Sequence, residues 1–433
     1  MAEPHLALKK IRLNLRRGTS RLRRNLSASN SRLLIYLSLL GPGIIAASSG
    51  NEASGIATYS SAGADYGYTL LWSFVPMTIC FVVAQEMCVR MGVVTRKGLA
   101  DLIREQFGIR WTVVVMFALL IANAGNIVAE FVGIGQATEL FGISRYVSVP
   151  VTAVVIWWLI VKGTPKRVEQ AFLLMSLVFL TYVVSAFAAK PDWAQVGHEF
   201  ISPSFSFDTG YLFTIMALIG TTITPYMPVF LQSSVVEKGM TKADYKMVRA
   251  DAIIGVLSAN LVAMFIVIAV AATIKGTKIE TAADAAQALA PVVGEYAKYL
   301  FAIGLFGASM LAMGVLPLAT AYSLSEALGF EKGLARSFRE APIFIGIFTS
   351  LIIFGTLVAL IPGIPQIELL IVTQCVAGLL LPVLLIAIIL LSSNREIMGD
   401  YKNSFAFKCI AWIITIVVSI LSLLFIAKLT GIL

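Results

Sequence analysis

The sequence predicts an all-α membrane protein, a bundle of about eleven transmembrane helices. Three observations predict it. Hydrophobic residues make up 58% of the 433 residues and charged residues only 13%. A soluble domain carries roughly 25% charged residues, so most of this surface must face lipid. Apolar runs of bilayer-spanning length recur along the chain. Two of these runs are interrupted by glycine or proline beside polar residues, at corresponding places in the two halves. Such paired interruptions are the best sequence pointer to a transporter site.

The chain opens with a basic tail, residues 1–32, holding Lys9, Lys10, Arg12, Arg16, Arg17, Arg21, Arg23, Arg24 and Arg32. Nucleic-acid binding is one use of such an arm. An orientation signal that also touches anionic lipid is the simpler one, and no nucleic-acid partner is expected. No small-residue cleavage site follows a short apolar core, so removal as a signal peptide is not expected.

Residues 33–433 read as a single transmembrane unit. Spans fall near 34–61, 67–89, 111–138, 147–164, 168–189, 209–236, 251–275, 296–326, 341–361, 365–392 and 405–431. Alternate connections are rich in Lys and Arg: Arg90, Arg96, Lys97, Arg104 and Arg110; Lys166 and Arg167; Lys238, Lys242, Lys246 and Arg249; Lys332, Arg336 and Arg339. The opposite connections are poorer. This bias places the N-terminus in the cytoplasm. A multi-pass protein of a cell membrane is expected, a bacterial inner membrane fitting best, with the lipid bilayer as its surroundings and a monomer as its working unit.

Spans 1 and 6 run in opposite directions, and both are broken. Span 1 carries Gly50-Asn51-Glu52-Ala53-Ser54-Gly55. Span 6 carries Gly220-Thr221-Thr222-Ile223-Thr224-Pro225-Tyr226-Met227-Pro228. Unwound backbone survives at membrane depth only where it is buried in protein or lines a cavity. Ordinary helix kinks are the plainer explanation, but the first break also holds a carboxylate. An ionised Glu52 in mid-membrane is costly unless a cation, a proton or a basic partner lies beside it.

Other polar residues fall inside spans. Asn123, Asn126 and Glu130 in span 3 share one helical face, which suits a water or proton path or, as readily, interhelical hydrogen bonds. Gln374 in span 10 can offer a neutral oxygen to a cation or form a packing hydrogen bond. Gln85 and Glu86 are expected to snorkel to the interface from the end of span 2. The four cysteines, Cys80, Cys88, Cys375 and Cys409, lack CxxC spacing and read as apolar filler. His5 and His198 lie outside every span, so a proton relay would rest on carboxylates. The sequence has no His/Cys ligand cluster, phosphate loop or hydrolytic triad, so it does not read as an enzyme.

Four stretches together resemble the NRAMP family of divalent-metal transporters. They are Gly41-Pro42-Gly43 with Gly50 to Tyr59, Ala62-Gly63 and Gly67-Tyr68; Arg90 to Thr95 with Leu99 to Leu102; Ala129 to Gly133 with Leu140-Phe141-Gly142; and Thr373-Gln374 with Leu381-Pro382 and Met398-Gly399. The resemblance implies a LeuT-like fold of two inverted five-helix repeats, about 33–190 and 208–393, plus an extra helix at 405–431. It implies an ion held at the two broken helices.

The departures are chemical. Where the family has Asp-Pro-Gly-Asn, this sequence has Glu52, Ala53, Ser54 and Gly55. Where it has Met-Pro-His, counting from Gly220 gives Thr224, Pro225 and Tyr226; counting from Leu231-Gln232-Ser233 shifts the register by one, and Met227-Pro228 offers a third. The family's proton-transferring Asp is matched by Ile127, and its paired arginines have no counterpart between Ala341 and Thr349. A thioether favours transition metals over hard ions. Its loss, with smaller side chains at 55 and 224, predicts a wider site for partly hydrated Mg²⁺ or Mn²⁺. Such a site resembles the NRAMP-related magnesium transporters. The expected ligands are Glu52, the Thr221 carbonyl, Thr224 and Gln374 around Gly55, with Ser54, Tyr59, Tyr226, Met227 and Phe230 as lining. No cofactor is expected beyond the transported metal, and proton coupling is expected to be weak or absent.

A second reading keeps the fold and changes the cargo. Half-helix N-termini attract carboxylates, and Tyr59, Tyr226 and Phe230 could wall an aromatic pocket. A small organic acid or amino acid would then be carried, with Glu52 as the proton carrier. A sensor or receptor is a third class.

Overall fold

The structure, a computed structural model, describes residues 41–163, 168, 170–171, 174, 180–286, 297–334, 336, 338–363 and 365–431. The basic tail, the start of span 1 and much of span 5 lie outside the described residues. The described residues are mostly helical: α1 (Pro42–Ser48), α2 (Ala53–Tyr66), α3 (Phe74–Thr95), α4 (Leu99–Glu139), α5 (Arg145–Lys162), α6 (Leu180–Ala188), α7 (Trp193–Ile201), α8 (Thr209–Thr222), α9 (Tyr226–Glu237), α10 (Tyr245–Thr273), α11 (Ala282–Ala286), α12 (Ala297–Leu328), α13 (Pro342–Ala359), α14 (Gln366–Ser393), α15 (Arg395–Met398) and α16 (Phe405–Leu429). Among the described residues, nine helical stretches are long and apolar enough to cross a membrane. They correspond to spans 2–4 and 6–11, with α8 and α9 together forming span 6. Spans 1 and 5 complete the predicted set in sequence but extend beyond the described residues.

One boundary differs in kind. The connection expected over 96–110 is mostly helix, because α4 begins at Leu99. Leu99, Ala100, Leu102 and Ile103 are buried, while Glu105 is exposed, an amphipathic pattern with the helical period. Gly108, at φ 75°, turns the chain between this segment and the membrane span proper. Hydropathy alone reads such a segment as a loop, since its polar face dilutes the average.

Small residues set the packing. A side-chain carbon on Gly43 of α1 would lie 2.5 Å from the Ala252 backbone nitrogen of α10, and one on Gly255 of α10 would lie 2.5 Å from Gly43 O. Gly220 of α8 likewise meets the Gln374 backbone carbonyl of α14, and Gly378 of α14 meets Met216 O. Without a hydrophobic drive between helices in lipid, such close backbone approach is what binds them. Of the nine described spans, the broken pair α8–α9 is the most buried and α16 the least.

Candidate functional site

The first break follows from local chemistry. After α1 the chain tightens into a 3₁₀ turn, Ser49–Asn51, and Glu52 is extended at φ −64°, ψ 175° before α2 starts at Ala53. Glu52 occupies the N-cap position of α2, yet its own side chain makes no cap. Glu130 of α4 does so instead. Its Oε2 accepts from Ala53 N at 2.9 Å, and its Oε1 accepts from Ser54 N at 3.1 Å and Ser54 Oγ at 2.6 Å. A carboxylate on the positive end of a half-helix is stabilising. The cap frees the Glu52 carboxylate to turn elsewhere.

Proline makes the second break. Pro225 has no N–H to bond Thr221 O, the acceptor it would have in a continuous helix, and its ring crowds that carbonyl. Ile223 leaves helical geometry at φ −128°, ψ 57°. The freed carbonyls are met locally, Thr224 Oγ1 donating to Gly220 O at 2.8 Å and Thr221 O at 3.2 Å. The break therefore lies over residues 223–225, ahead of Met227-Pro228.

The two breaks touch. Thr221 Oγ1 donates to Gly50 O at 3.4 Å. Tyr226 Oη lies 2.9 Å from Ser49 O and 3.0 Å from Glu52 Oε2. From α14, Gln374 Nε2 donates to Glu52 Oε1 at 2.7 Å. Both oxygens of Glu52 therefore meet neutral donors, and Glu52, Tyr226 and Gln374 are fully buried. Gln374 Oε1 is buried without a hydrogen-bond partner among the described residues. The described residues hold no cluster of three His, Cys, Asp or Glu side chains fit to bind a metal. A cation here would meet one carboxylate and neutral oxygens, a hard-donor set.

The profile of the Nramp family, natural resistance-associated macrophage protein-like, matches residues 43–428. The chain belongs to this family. It is similar to the divalent metal cation transporter MntH of Deinococcus radiodurans, 28% identical over 405 residues and covering 88% of each chain. A crystal structure of the Eremococcus coleocola manganese transporter, in complex with an aromatic bis-isothiourea substituted compound, matches the fold with a TM-score of 0.76 at 18% identity, over 92% of this chain and 88% of that one. MhsT in complex with L-phenylalanine matches with a TM-score of 0.62 at 12% identity, over 89% and 97%. The fold is the LeuT-like one, and this Nramp protein is a multi-pass membrane transporter, not an enzyme.

Most sequence-predicted site residues of this Nramp protein converge. Glu52, Ser54, Gly55, Thr221, Thr224, Tyr226 and Gln374 surround the breaks. Tyr59 Oη lies 3.5 Å from Thr222 Oγ1, with its ring centroid 6.0 Å from that of Phe74. The Met227 methyl fills the notch left by Gly50, and Phe230 is buried one turn further along α9. Asn123 donates to Thr320 Oγ1 of α12 at 2.8 Å, and the buried Asn126 amide has no partner among the described residues.

Two expectations need correction. Gly55 and Thr224 do not widen the site. A side-chain carbon on Gly55 would sit 2.6 Å from Gly50 O and 2.8 Å from Thr221 Oγ1, so this glycine lets the breaks close on each other. The Thr224 hydroxyl is turned back onto its own helix. Gln85 and Glu86 do not snorkel. Both are buried, and Glu86 pairs with Arg90 at 3.0 Å and accepts from Tyr245. Sequence reasoning also missed the Ser49 and Gly50 carbonyls, which carry no side-chain signal, and Asp251 of α10, whose Oδ2 accepts from Gly43 N at 2.6 Å near the start of α1. A carboxylate at the edge of an apolar run was the signal for the last.

Proposed function

We propose that this protein is a secondary transporter of divalent metal ions, moving partly hydrated Mg²⁺ or Mn²⁺, or both, by alternating access with weak or no proton coupling. Residues 33–190 and 208–393 would form its inverted repeats, in a cell membrane with the N-terminus cytoplasmic. Glu52 is the charged ligand in this reading, with Gln374 Oε1 and the Thr221 carbonyl as neutral oxygens beside Gly55. The relatives' metal cargo supports it.

One observation carries the choice of a cation over an organic anion. The Ser49 carbonyl shares the Tyr226 hydroxyl with Glu52, and the Thr221 carbonyl lies beside Gly50, while several of the N–H groups that an anion would use are spent. Glu130 takes those of Ala53 and Ser54. At the start of α9, Pro225 and Pro228 have none, and Met227 N donates to Thr224 O at 3.0 Å. Half-helix C-termini favour cations, and N-termini favour anions only when their donors are free. The organic-acid reading keeps only the shared fold, which also holds L-phenylalanine in MhsT.

The test is uptake of Mg²⁺ and Mn²⁺ into proteoliposomes. Saturable flux is expected in the native protein and none above background in Glu52→Gln. Unimpaired flux in that variant would defeat the reading. A lumenal pH indicator should register no acidification with metal entry. A stoichiometric drop, absent from protein-free vesicles, would show that protons are coupled.

A further inference from the structure

We propose that Tyr226 and Gln374 stand in for the cargo: their O–H and N–H groups hold Glu52 while the carrier resets without a cation, which allows net transport rather than obligatory exchange. The inference rests on the cation reading above.

A buried carboxylate with unmet acceptors is costly. A carrier that delivers its cation must still close over that carboxylate to return. The bundle supplies its own donors for this. Gln374 Nε2 reaches Oε1 at 2.7 Å, and Tyr226 Oη lies 3.0 Å from Oε2, with all three side chains fully buried. Each helper also has an alternative for the moment a cation arrives. Tyr226 retains Ser49 O, at 2.9 Å, as a second acceptor, so its O–H is not orphaned when Glu52 turns to the metal. Turning the Gln374 amide over would present Oε1, which has no hydrogen-bond partner among the described residues, to the cation. Tyr226 is therefore a positioning residue that acts on Glu52, not a ligand. Its place at the first turn of α9 links the state of the carboxylate to the second break.

The experiment compares two fluxes of radioactive Mn²⁺ through the full-length protein in liposomes. One is uptake into metal-free vesicles, and the other is tracer exchange with Mn²⁺ on both sides. The native protein is expected to perform both. Tyr226→Phe removes the O–H and keeps the ring. Uptake into metal-free vesicles should fall by about tenfold, as expected for losing a hydrogen bond to a charged group, while exchange falls far less. A structural defect would lower both alike, so an unchanged ratio overturns the proposal. Should that variant not fold, the native protein still decides, because flux that strictly requires Mn²⁺ on both sides overturns it as well. Absence of saturable Mn²⁺ flux in either mode would instead defeat the cation reading, and this proposal with it.

Discussion

Glu52 and Glu86 are both buried carboxylates, and they meet opposite surroundings. Glu86, on α3, is held by the Arg90 guanidinium, at 3.0 Å to Oε1 and 3.1 Å to Oε2, and accepts from Tyr245 of α10. Arg90 in turn donates to Tyr401 O and Asn403 Oδ1, beyond α15. Among the described residues, the Glu52 carboxylate takes its hydrogen bonds from a phenol and an amide. A carboxylate already matched by a fixed cation has no use for a mobile one. Neutral donors satisfy its geometry and leave its charge available. The first arrangement ties helices together, and the second can exchange partners.

The widest separation between the two sites should come from neutralising each in turn. Glu52→Gln should lower metal uptake by at least about a hundredfold, having lost the charge that attracts the ion, with little change in thermal melting. Glu86→Ala should do the reverse. It strands Arg90 in the bundle and should cost about 3–5 kcal/mol of stability, read as a lowered melting temperature in detergent. Large melting loss in Glu52→Gln, or none in Glu86→Ala, would break the distinction.

A smaller effect tests what brings Gln374 to Glu52. Gly220 is the surface against which the Gln374 backbone packs. Gly220→Ala should push α14 away at a cost of about 1–3 kcal/mol, and uptake should drop with it. Retained uptake at native rate would mean that Gln374 is not needed at that distance. The smallest effect should come from Glu130→Gln. The amide oxygen can still accept from one N–H of the first turn of α2, but the new NH₂ turns a donor toward the other and the charge is lost, costing about 1–2 kcal/mol. Melting and uptake should both shift modestly. Complete loss of uptake in a well-folded variant would assign Glu130 to the transport step itself.

The legible parts of this protein share a cause. Spans could be read because lipid demands a long apolar run, and the breaks because Gly50 and Pro225 weaken the helix where they stand beside polar residues. Glu52 was legible because a mid-span carboxylate is costly. The α4 extension was not, since Leu99 to Ile103 announce burial only by their spacing. Nor was the use of Glu130. Sharing a helical face with Asn123 and Asn126 suggested a path or interhelical hydrogen bonds alike, and could not name its partners, the N–H groups of residues 53 and 54, far off in sequence. The loss of bulk at Gly55 and Thr224 suggested a wider site, but a small side chain either opens space or lets a neighbour fill it, and composition cannot say which.

By itself the sequence determined that this is a helical membrane bundle with two opposed breaks and a carboxylate in one of them. Those features follow from the solvent and from local backbone chemistry, which act on each segment alone. Only the tertiary structure decided what the carboxylate meets. Tyr226, Gln374 and Glu130 come from three different helices, and which of their polar atoms face Glu52 or the start of α2 depends on approach distances set by glycines such as Gly55 and Gly220. Those distances are a property of the packed bundle, and they separate a site that closes on its own donors from one that gapes.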